Sequence, residues 1–255
     1  MKPYISAVIP AYNEEKRLPP SLARMATYLA DELKWPAEIL IVNDGSKDAT
    51  VEVARSQAAE LEREGLSIRV IENPGNRGKG YSVRNGMLEA QGDWVLFSDA
   101  DLSAPIEELI KLLDAVQEAK ADGAIGSRAL DRSLIGVHQP IFREYSGRAF
   151  NLIVRIVSGL PFSDTQCGFK LFRRDTVQQI FSRQLLERFG FDVEILFLAR
   201  KLGYEIVEVP VRWNDVEGTT VSTLSGLNAF LDVARIRWND ISGKYGRKLA
   251  YSRSV

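Results

Sequence analysis

Asp99 and Asp101 stand one residue apart in Phe97-Ser-Asp-Ala-Asp-Leu102, at the end of a β-rich run. Two carboxylates at that spacing reach one small volume only if the backbone turns there, and Ser98 and Ala100 leave room for the turn. Hard cations such as Mg2+ or Mn2+ favour oxygen ligands of this kind and fill their other positions with water and substrate phosphate. A cation held there would neutralise a diphosphate as its bond to a sugar breaks. Taken alone, an Asp-x-Asp pair describes a solvated turn or a helix cap before Ser103-Ala-Pro105 equally well, so its surroundings must decide.

The pair needs a scaffold, and the first half of the chain supplies one. Ile5–Ile9, Glu38–Val42, Ser67–Glu72, Trp94–Ser98 and Gly123–Ser127 read as strands bounded by turn residues. Helical patterns lie between them: Leu22, Met25, Ala26, Leu29 and Leu33 fall on one face, as do Ile106, Leu109, Ile110, Leu113 and Val116. This alternation predicts an α/β fold, a mostly parallel sheet with helices on both faces. Ligands of such sheets bind beyond the carboxyl ends of the strands, where this chain is polar and specific. Pro10-Ala-Tyr-Asn-Glu14, Asn43-Asp-Gly-Ser46, Asn73-Pro-Gly-Asn-Arg-Gly-Lys-Gly80 and Asp99-Ala-Asp101 should converge on one rim.

The rim narrows the chemistry. Asp44 falls where acidic residues of nucleotide-binding sheets meet a base or ribose, yet the first turn lacks G-x-G-x-x-G, which argues against a dehydrogenase. The glycine-rich Gly75–Gly80 loop would let its backbone and Lys79 approach a phosphate, or is an ordinary turn; no Ser or Thr follows the lysine, which argues against a P-loop enzyme.

Composition is that of a folded chain of 255 residues, 45% hydrophobic and 26% charged, with a net charge of −1. The charge is unevenly spread: residues 122–174 hold eight Lys/Arg against four Asp/Glu, and residues 243–255 hold four against none. That pattern suggests an anionic substrate or surface rather than nucleic acid. The single cysteine, Cys167, has no internal disulfide partner, and the N-terminus lacks the pattern of a secretory signal, so the expected compartment is the cytoplasm. The apolar runs are broken by Arg155, Pro161 or Arg235 before reaching the ~20 residues that cross a bilayer.

From about Leu130 the alternation weakens. Phe142, Tyr145, Ala149, Leu152, Ile153, Ile156 and Leu160 fit an amphipathic helix carrying Arg143, Arg148 and Arg155; it reads as an acceptor or membrane contact. Leu224, Leu227, Leu231, Ala234, Trp238 and Ile241 fit a second stripe, which at helical spacing is expected to be core. His138, the only histidine, sits in a loop-like stretch and reads as a surface or structural residue.

Together, Val8-Ile-Pro-Ala-Tyr-Asn-Glu14, Val42-Asn-Asp-Gly-Ser46, Asn76-Arg-Gly-Lys-Gly80, Phe97–Leu102, Gly126-Ser-Arg128, Asp164-Thr-Gln-Cys-Gly-Phe-Lys170 and Val209-Pro-Val-Arg-Trp213 resemble the family-two inverting glycosyltransferases of GT-A fold. The polyprenyl-phosphate (dolichyl-phosphate) glucosyl- and mannosyltransferases are the nearest in pattern, over roughly residues 5–240. The resemblance implies that Pro10, Ala11, Tyr12, Glu14 and Asp44 hold the nucleotide base. It puts Asp99 and Ala100 near the ribose and diphosphate, Asp101 on Mg2+ or Mn2+ with Asp99 beside it, and Arg77 and Lys79 near the donor phosphates. Ser127, Arg128 and Arg143 look like acceptor-side residues, where a guanidinium holds a phosphate bidentately, with Arg128 close to the reaction. Asp192 or Glu194, in Phe191-Asp-Val-Glu-Ile195, is a base or a supporting group. The sequence departs from the pattern at Ser103, where related mannosyltransferases often carry glutamine, and at Gly218-Thr-Thr-Val-Ser222, which replaces a lysine-bearing segment.

The expected organisation is one GT-A domain over 1–242, with a nucleotide-sugar half (1–128), an acceptor half (129–242) and a basic tail (243–255). The expected reaction moves glucose from UDP-glucose to polyprenyl phosphate with inversion, in the cytoplasm or peripherally on the cytoplasmic face of an anionic membrane, with no nucleic-acid partner. Three rivals are GDP-mannose as donor, a saccharide hydroxyl as acceptor with a carboxylate base, and a non-catalytic nucleotide-sugar-binding protein. A phosphate acceptor is already anionic at neutral pH, so it would not require a histidine base.

Overall fold

The computed structural model describes residues 2–137, 154–155, 157–216 and 224–246, with side chains of the last helix described from Leu231 onward. β1 (Ile5–Ala11), β2 (Ala37–Asn43), β3 (Leu66–Glu72), β4 (Trp94–Ser98), β5 (Gly123–Ser127), β7 (Phe169–Arg173) and β8 (Ile206–Pro210) form one sheet, in the order β3-β2-β1-β4-β7-β5-β8. A separate ribbon pairs β6 (Ile135–Val137) with β9 (Trp213–Asn214). All neighbours in the large sheet are parallel except β7, which runs antiparallel between β4 and β5. The five strands expected from the sequence are present, two of them end to end; β6, β7, β8 and β9 lie outside those five.

Strand alternation divides the core. Ile5, Ala7 and Ile9 of β1, with Ile39 and Ile41 of β2, pack on one face against α1 (Leu18–Ala26), which continues through a π-helical turn (Thr27–Glu32), α2 (Thr50–Leu61) and α4 (Leu109–Ala119). Val8, Leu40, Val42 and Phe97 pack on the other against α3 (Lys79–Glu89), α5 (Arg174–Phe181) and α6 (Phe191–Leu202). Strands buried on both faces are what a parallel sheet requires.

α7 (Leu224–Ile241) packs along α6 through Val233 and Ile236. Here the structure overturns the expectation of a buried stripe: Leu231, Trp238 and Ile241 are exposed, and the helix instead turns Asp232 and Asn239 inward. Their hydrogen bonds make that orientation stable: Gly190 N–H donates to the Asp232 carboxylate and Asn239 Nδ2 donates to Tyr245 Oη. Of the stripe expected at 142–160, only its end is described, with Val154 and Ser158 buried; Arg143 and His138 lie outside the described residues.

Candidate active site

The acidic turn is built by backbone. Asp99 N–H donates to Gly168 O on the strand-β7 side (3.0 Å), and Leu102 N–H donates to Asp99 O (3.3 Å) with Leu102 at φ 48°. A bulky residue in the left-handed region costs on the order of 1 kcal/mol or more, so a turn that keeps one there is over-determined by its surroundings. The turn brings Asp101 back: its Oδ1 accepts from Ser103 N (3.0 Å) and Ser103 Oγ (2.8 Å), leaving Oδ2 facing Arg17 Nη1 at 3.9 Å. Arg17 clamps Glu14 bidentately at 2.6 and 2.7 Å. Burial pushes the Glu14 carboxyl above its ordinary value despite that clamp.

Asp99 has its own cation. Lys79 Nζ lies 2.6 Å from Asp99 Oδ1 and 5.4 Å from the Phe97 ring centroid. Burial alone would lower the Lys79 ammonium, but Asp99 and Asp192 hold it above its usual range. Lys170 approaches the same ring at 5.6 Å and pairs with Asp192 at 2.5 Å, also donating to Cys167 O. Lys170 and Asp192 are 0% and 4% exposed, and burial, working against Lys170, pushes Asp192 up. Two lysines and two aspartates therefore gather around Phe97, the Lys170–Asp192 pair buried and the Lys79–Asp99 pair partly exposed at the rim.

Asp44 does something other than face solvent. It is buried, and its carboxylate accepts from Asn73 Nδ2 (3.0 Å), Arg77 N (3.0 Å) and Gly78 N (2.7 Å). Those amides open α3, where an anion is favoured by the helix dipole, and Gly78 at φ 113° makes the turn that presents them. The glycine-rich loop thus gives the N–H groups of Arg77 and Gly78 to a resident carboxylate rather than to a phosphate. The Arg77 guanidinium turns away to Glu187 and stacks on Tyr81 at 4.4 Å, while Lys79 alone points to Asp99. Pro10, Ala11 and Tyr12 line the end of β1 beside this loop, with Asp44 N–H donating to Ala11 O (2.9 Å).

On the other side of β4, Arg128 follows β5 and forks onto Asp164, Nε to Oδ2 at 2.6 Å and Nη2 to Oδ1 at 2.9 Å, with Trp213 5.4 Å from its Cζ. Burial raises the Asp164 carboxyl, yet the Arg128 guanidinium outweighs it and holds the group at about 2. Glu208 fixes the segment by accepting from Ser163 N and Asp164 N. Ser127 is fully buried, its Oγ accepting from Ala129 N (3.3 Å). Burial pushes the Cys167 thiol up to about 12, which removes a thiolate nucleophile from the site.

Glu194 is remote in purpose. Fully buried, it accepts from Leu185 N, Leu186 N and Tyr245 Oη (3.1, 2.8 and 2.6 Å), tying α6 to the 185–186 turn and to the end of α7. Arg17, the guanidinium facing Asp101, went unnoticed in the sequence; its spacing of three residues from Glu14 at the start of α1 was the available signal.

Among the described residues no group of three or more His, Cys, Asp or Glu could hold a metal ion. The Asp101 Oδ2 edge and Asp99 offer hard oxygens only, which fits a Mg2+- or Mn2+-type ion whose remaining ligands are water and a diphosphate, not a closed protein cage. A strand-end rim with a paired acidic turn, a lysine on it and an arginine fork alongside is an arrangement suited to phosphorylated substrates.

Residues 6–181 match the family model described as glycosyl transferase family 2, and the chain belongs to that family. It is 40% identical over 228 residues to a dolichyl-phosphate beta-glucosyltransferase of Drosophila melanogaster, covering 86% of this chain and 69% of that protein. The Homo sapiens protein of that name is 35% identical over 252 residues, covering 94% and 77%. Among solved structures, glucosyl-3-phosphoglycerate synthase from Mycobacterium tuberculosis with Mn2+, UDP-glucose and glycerol 3-phosphate superposes with a TM-score of 0.61 at 18% identity, covering 97% of this chain and 82% of that one. The fold is the GT-A arrangement of α/β, as expected, and the chain is a glycosyltransferase.

Proposed function

We propose that the chain transfers glucose from UDP-glucose to a polyprenyl phosphate of dolichyl type, inverting the anomeric carbon. An acceptor phosphate oxygen attacks C1, the bond from C1 to the diphosphate breaks, and UDP leaves. The names of the relatives support glucose and the lipid phosphate. The observation that carries the acceptor class is the Arg128–Asp164 fork beside the rim, which orients a guanidinium with N–H groups left over for a phosphate. Asp164, held at about 2 by Arg128, is a poor general base, and an acceptor that arrives as an anion needs none.

In this reading Asp101 and Asp99 hold a divalent ion, which when bound offsets the charge developing on the departing diphosphate. Lys79 adds fixed positive charge at the same place. Glu14, held by Arg17, and the β1 end receive the nucleotide, with Asp44 fixing the loop beside it. Arg128, oriented by Asp164, meets the acceptor phosphate with its remaining N–H groups, and Arg143 is assigned to the same side from the resemblance alone. Residues 1–242 work as one unit, since β7 and β8 complete the sheet that carries β1–β5. No helix among the described residues is long and apolar enough to cross a membrane, and we assign the chain a peripheral place on an anionic leaflet.

Purified protein incubated with labelled UDP-glucose, UDP-galactose or GDP-mannose and polyprenyl phosphate, with and without Mg2+ or Mn2+, tests this reading. A lipid-linked glucose product that disappears in excess chelator is expected; no lipid-linked sugar with any donor defeats it.

A further inference from the structure

α7 is an amphipathic helix mounted with its apolar stripe outward. Leu231, Trp238 and Ile241 are 55%, 65% and 77% exposed, and with exposed Ala234 they recur at steps of three, four and three residues, which is one face of an α-helix. A helix that only met water would carry the opposite arrangement. Its two carboxylates point away from this face: Asp232 is buried against the residue before α6, and Asp240 pairs with Lys201 of α6. Its two arginines touch the protein as well, Arg235 pairing with Asp232 at 3.2 Å and Arg237 lying 5.9 Å from the Phe197 ring centroid, yet both stay open to solvent. Arg235 and Arg237 are exposed and, at 100° per residue, lie on the two flanks of the stripe, and exposed Lys244 follows beyond its end.

An apolar stripe bordered on both sides by arginines, with acids turned inward, is complementary to one kind of surface. Leu231, Trp238 and Ile241 match the acyl boundary of a bilayer, and the long arginines reach up to anionic headgroups. Asp232 contacts Gly190 at the start of α6, where Asp192 pairs with Lys170, and Asp240 contacts Lys201 near its end. The helix therefore lies along α6, with Asp232 at the end of α6 that carries Asp192.

We propose that the Leu231–Ala234–Trp238–Ile241 face of α7, flanked by Arg235 and Arg237, docks the protein onto an anionic lipid surface. The proposal extends the lipid-phosphate reading and rests on it for the kind of partner, while its evidence is the helix itself.

Flotation with vesicles of phosphatidylcholine alone, or mixed with phosphatidylserine, tests it without nucleotide or acceptor. Binding should require the anionic lipid and weaken in high salt. The variant Leu231→Gln/Trp238→Gln/Ile241→Gln should lose binding by about a hundredfold or more, from three buried apolar side chains. Arg235→Gln/Arg237→Gln should lose about tenfold at low salt and less at high salt. Trp238 supplies a readout in the unaltered protein: vesicles carrying brominated acyl chains should quench its emission, and Trp238→Phe should abolish that quenching.

Full binding by the triple variant, or Trp238 emission that ignores the vesicles, overturns the proposal. So does a dimer of the native chain that the triple variant dissolves, because the face would then belong to a second copy. Glucosyl transfer to a short-chain, water-soluble polyprenyl phosphate should survive the triple substitution. Failure of transfer with vesicle binding intact would count against the proposed reaction and leave the docking face standing.

Discussion

A methyl group added at Gly168 would lie less than 3.0 Å from the carboxylate of Asp99, closer than real Cβ atoms come to their neighbours. The same glycine accepts the Asp99 backbone N–H, so the acidic turn and the start of β7 are fitted to each other without a spare ångström. Gly168→Ala should therefore push Asp99 off Lys79 while leaving the core packed. We expect kcat/KM to fall about a hundredfold or more, as when a positioned charge at a transition state is lost. Circular dichroism and melting temperature should change little; wild-type kcat/KM in this variant would show that Asp99 has no fixed catalytic position.

Asp101→Asn separates the turn from the ion. Oδ1 is the atom that accepts from Ser103 N and Oγ, and an amide oxygen can do the same, whereas the Oδ2 edge becomes an NH2 group. The variant should fold and melt like the parent but lose Mn2+ binding measured by electron paramagnetic resonance, together with transfer activity. Unchanged activity would remove the proposed metal role.

The Arg128–Asp164 fork predicts an acid limit to stability. Asp164 is held at about 2 in the fold against 3.8 as its ordinary value, so the folded state binds fewer protons than the unfolded state between those values. Its contribution, about 2 kcal/mol, is fully present above the unfolded pKa and is lost as pH falls toward the folded one. Urea denaturation of the wild type and Asp164→Asn from neutral to about pH 2 should show the gap between them closing in that window. A gap that stays constant with pH would mean that Asp164 contributes only through neutral hydrogen bonds.

Tyr245→Phe removes the hydroxyl that donates to Glu194 Oε1 at 2.6 Å, both residues being buried. An under-satisfied buried carboxylate should cost about 1 to 3 kcal/mol, seen as a lower melting temperature and faster amide exchange at the end of α7. Equal stability would mean that water replaces the hydroxyl.

Much of the scaffold was readable because buried parallel strands announce themselves as short β-rich runs with turn residues at both ends. Trp94–Ser98 and Gly123–Ser127 begin and end where their composition says they should. β7 escaped because its pairing is wholly long-range, with β4 on one side and β5 on the other, and because it contains a fully buried lysine, Lys170. α7 was legible as a helix but not in its orientation: the sequence shows an apolar stripe, while Gly190, Tyr245 and Lys201 decide that Asp232, Asn239 and Asp240 face the protein.

At the rim, residue types were visible and partners were not. Asp44 stands at the expected strand end, but that it spends its oxygens on the amides of Arg77 and Gly78 follows only from the packing of β2 against the loop before α3. The pairing of Arg128 with Asp164 joins residues 36 positions apart, and no local pattern records it.

The most direct test of the whole account is transfer of labelled glucose from UDP-glucose to polyprenyl phosphate by the purified chain, with the anomeric configuration of the product read by NMR. The account predicts a glucosyl phosphate lipid, inverted at C1, formed with UDP-glucose in clear preference to GDP-mannose. Retention at C1, preference for GDP-mannose, or transfer to a sugar hydroxyl in place of the phosphate would contradict it.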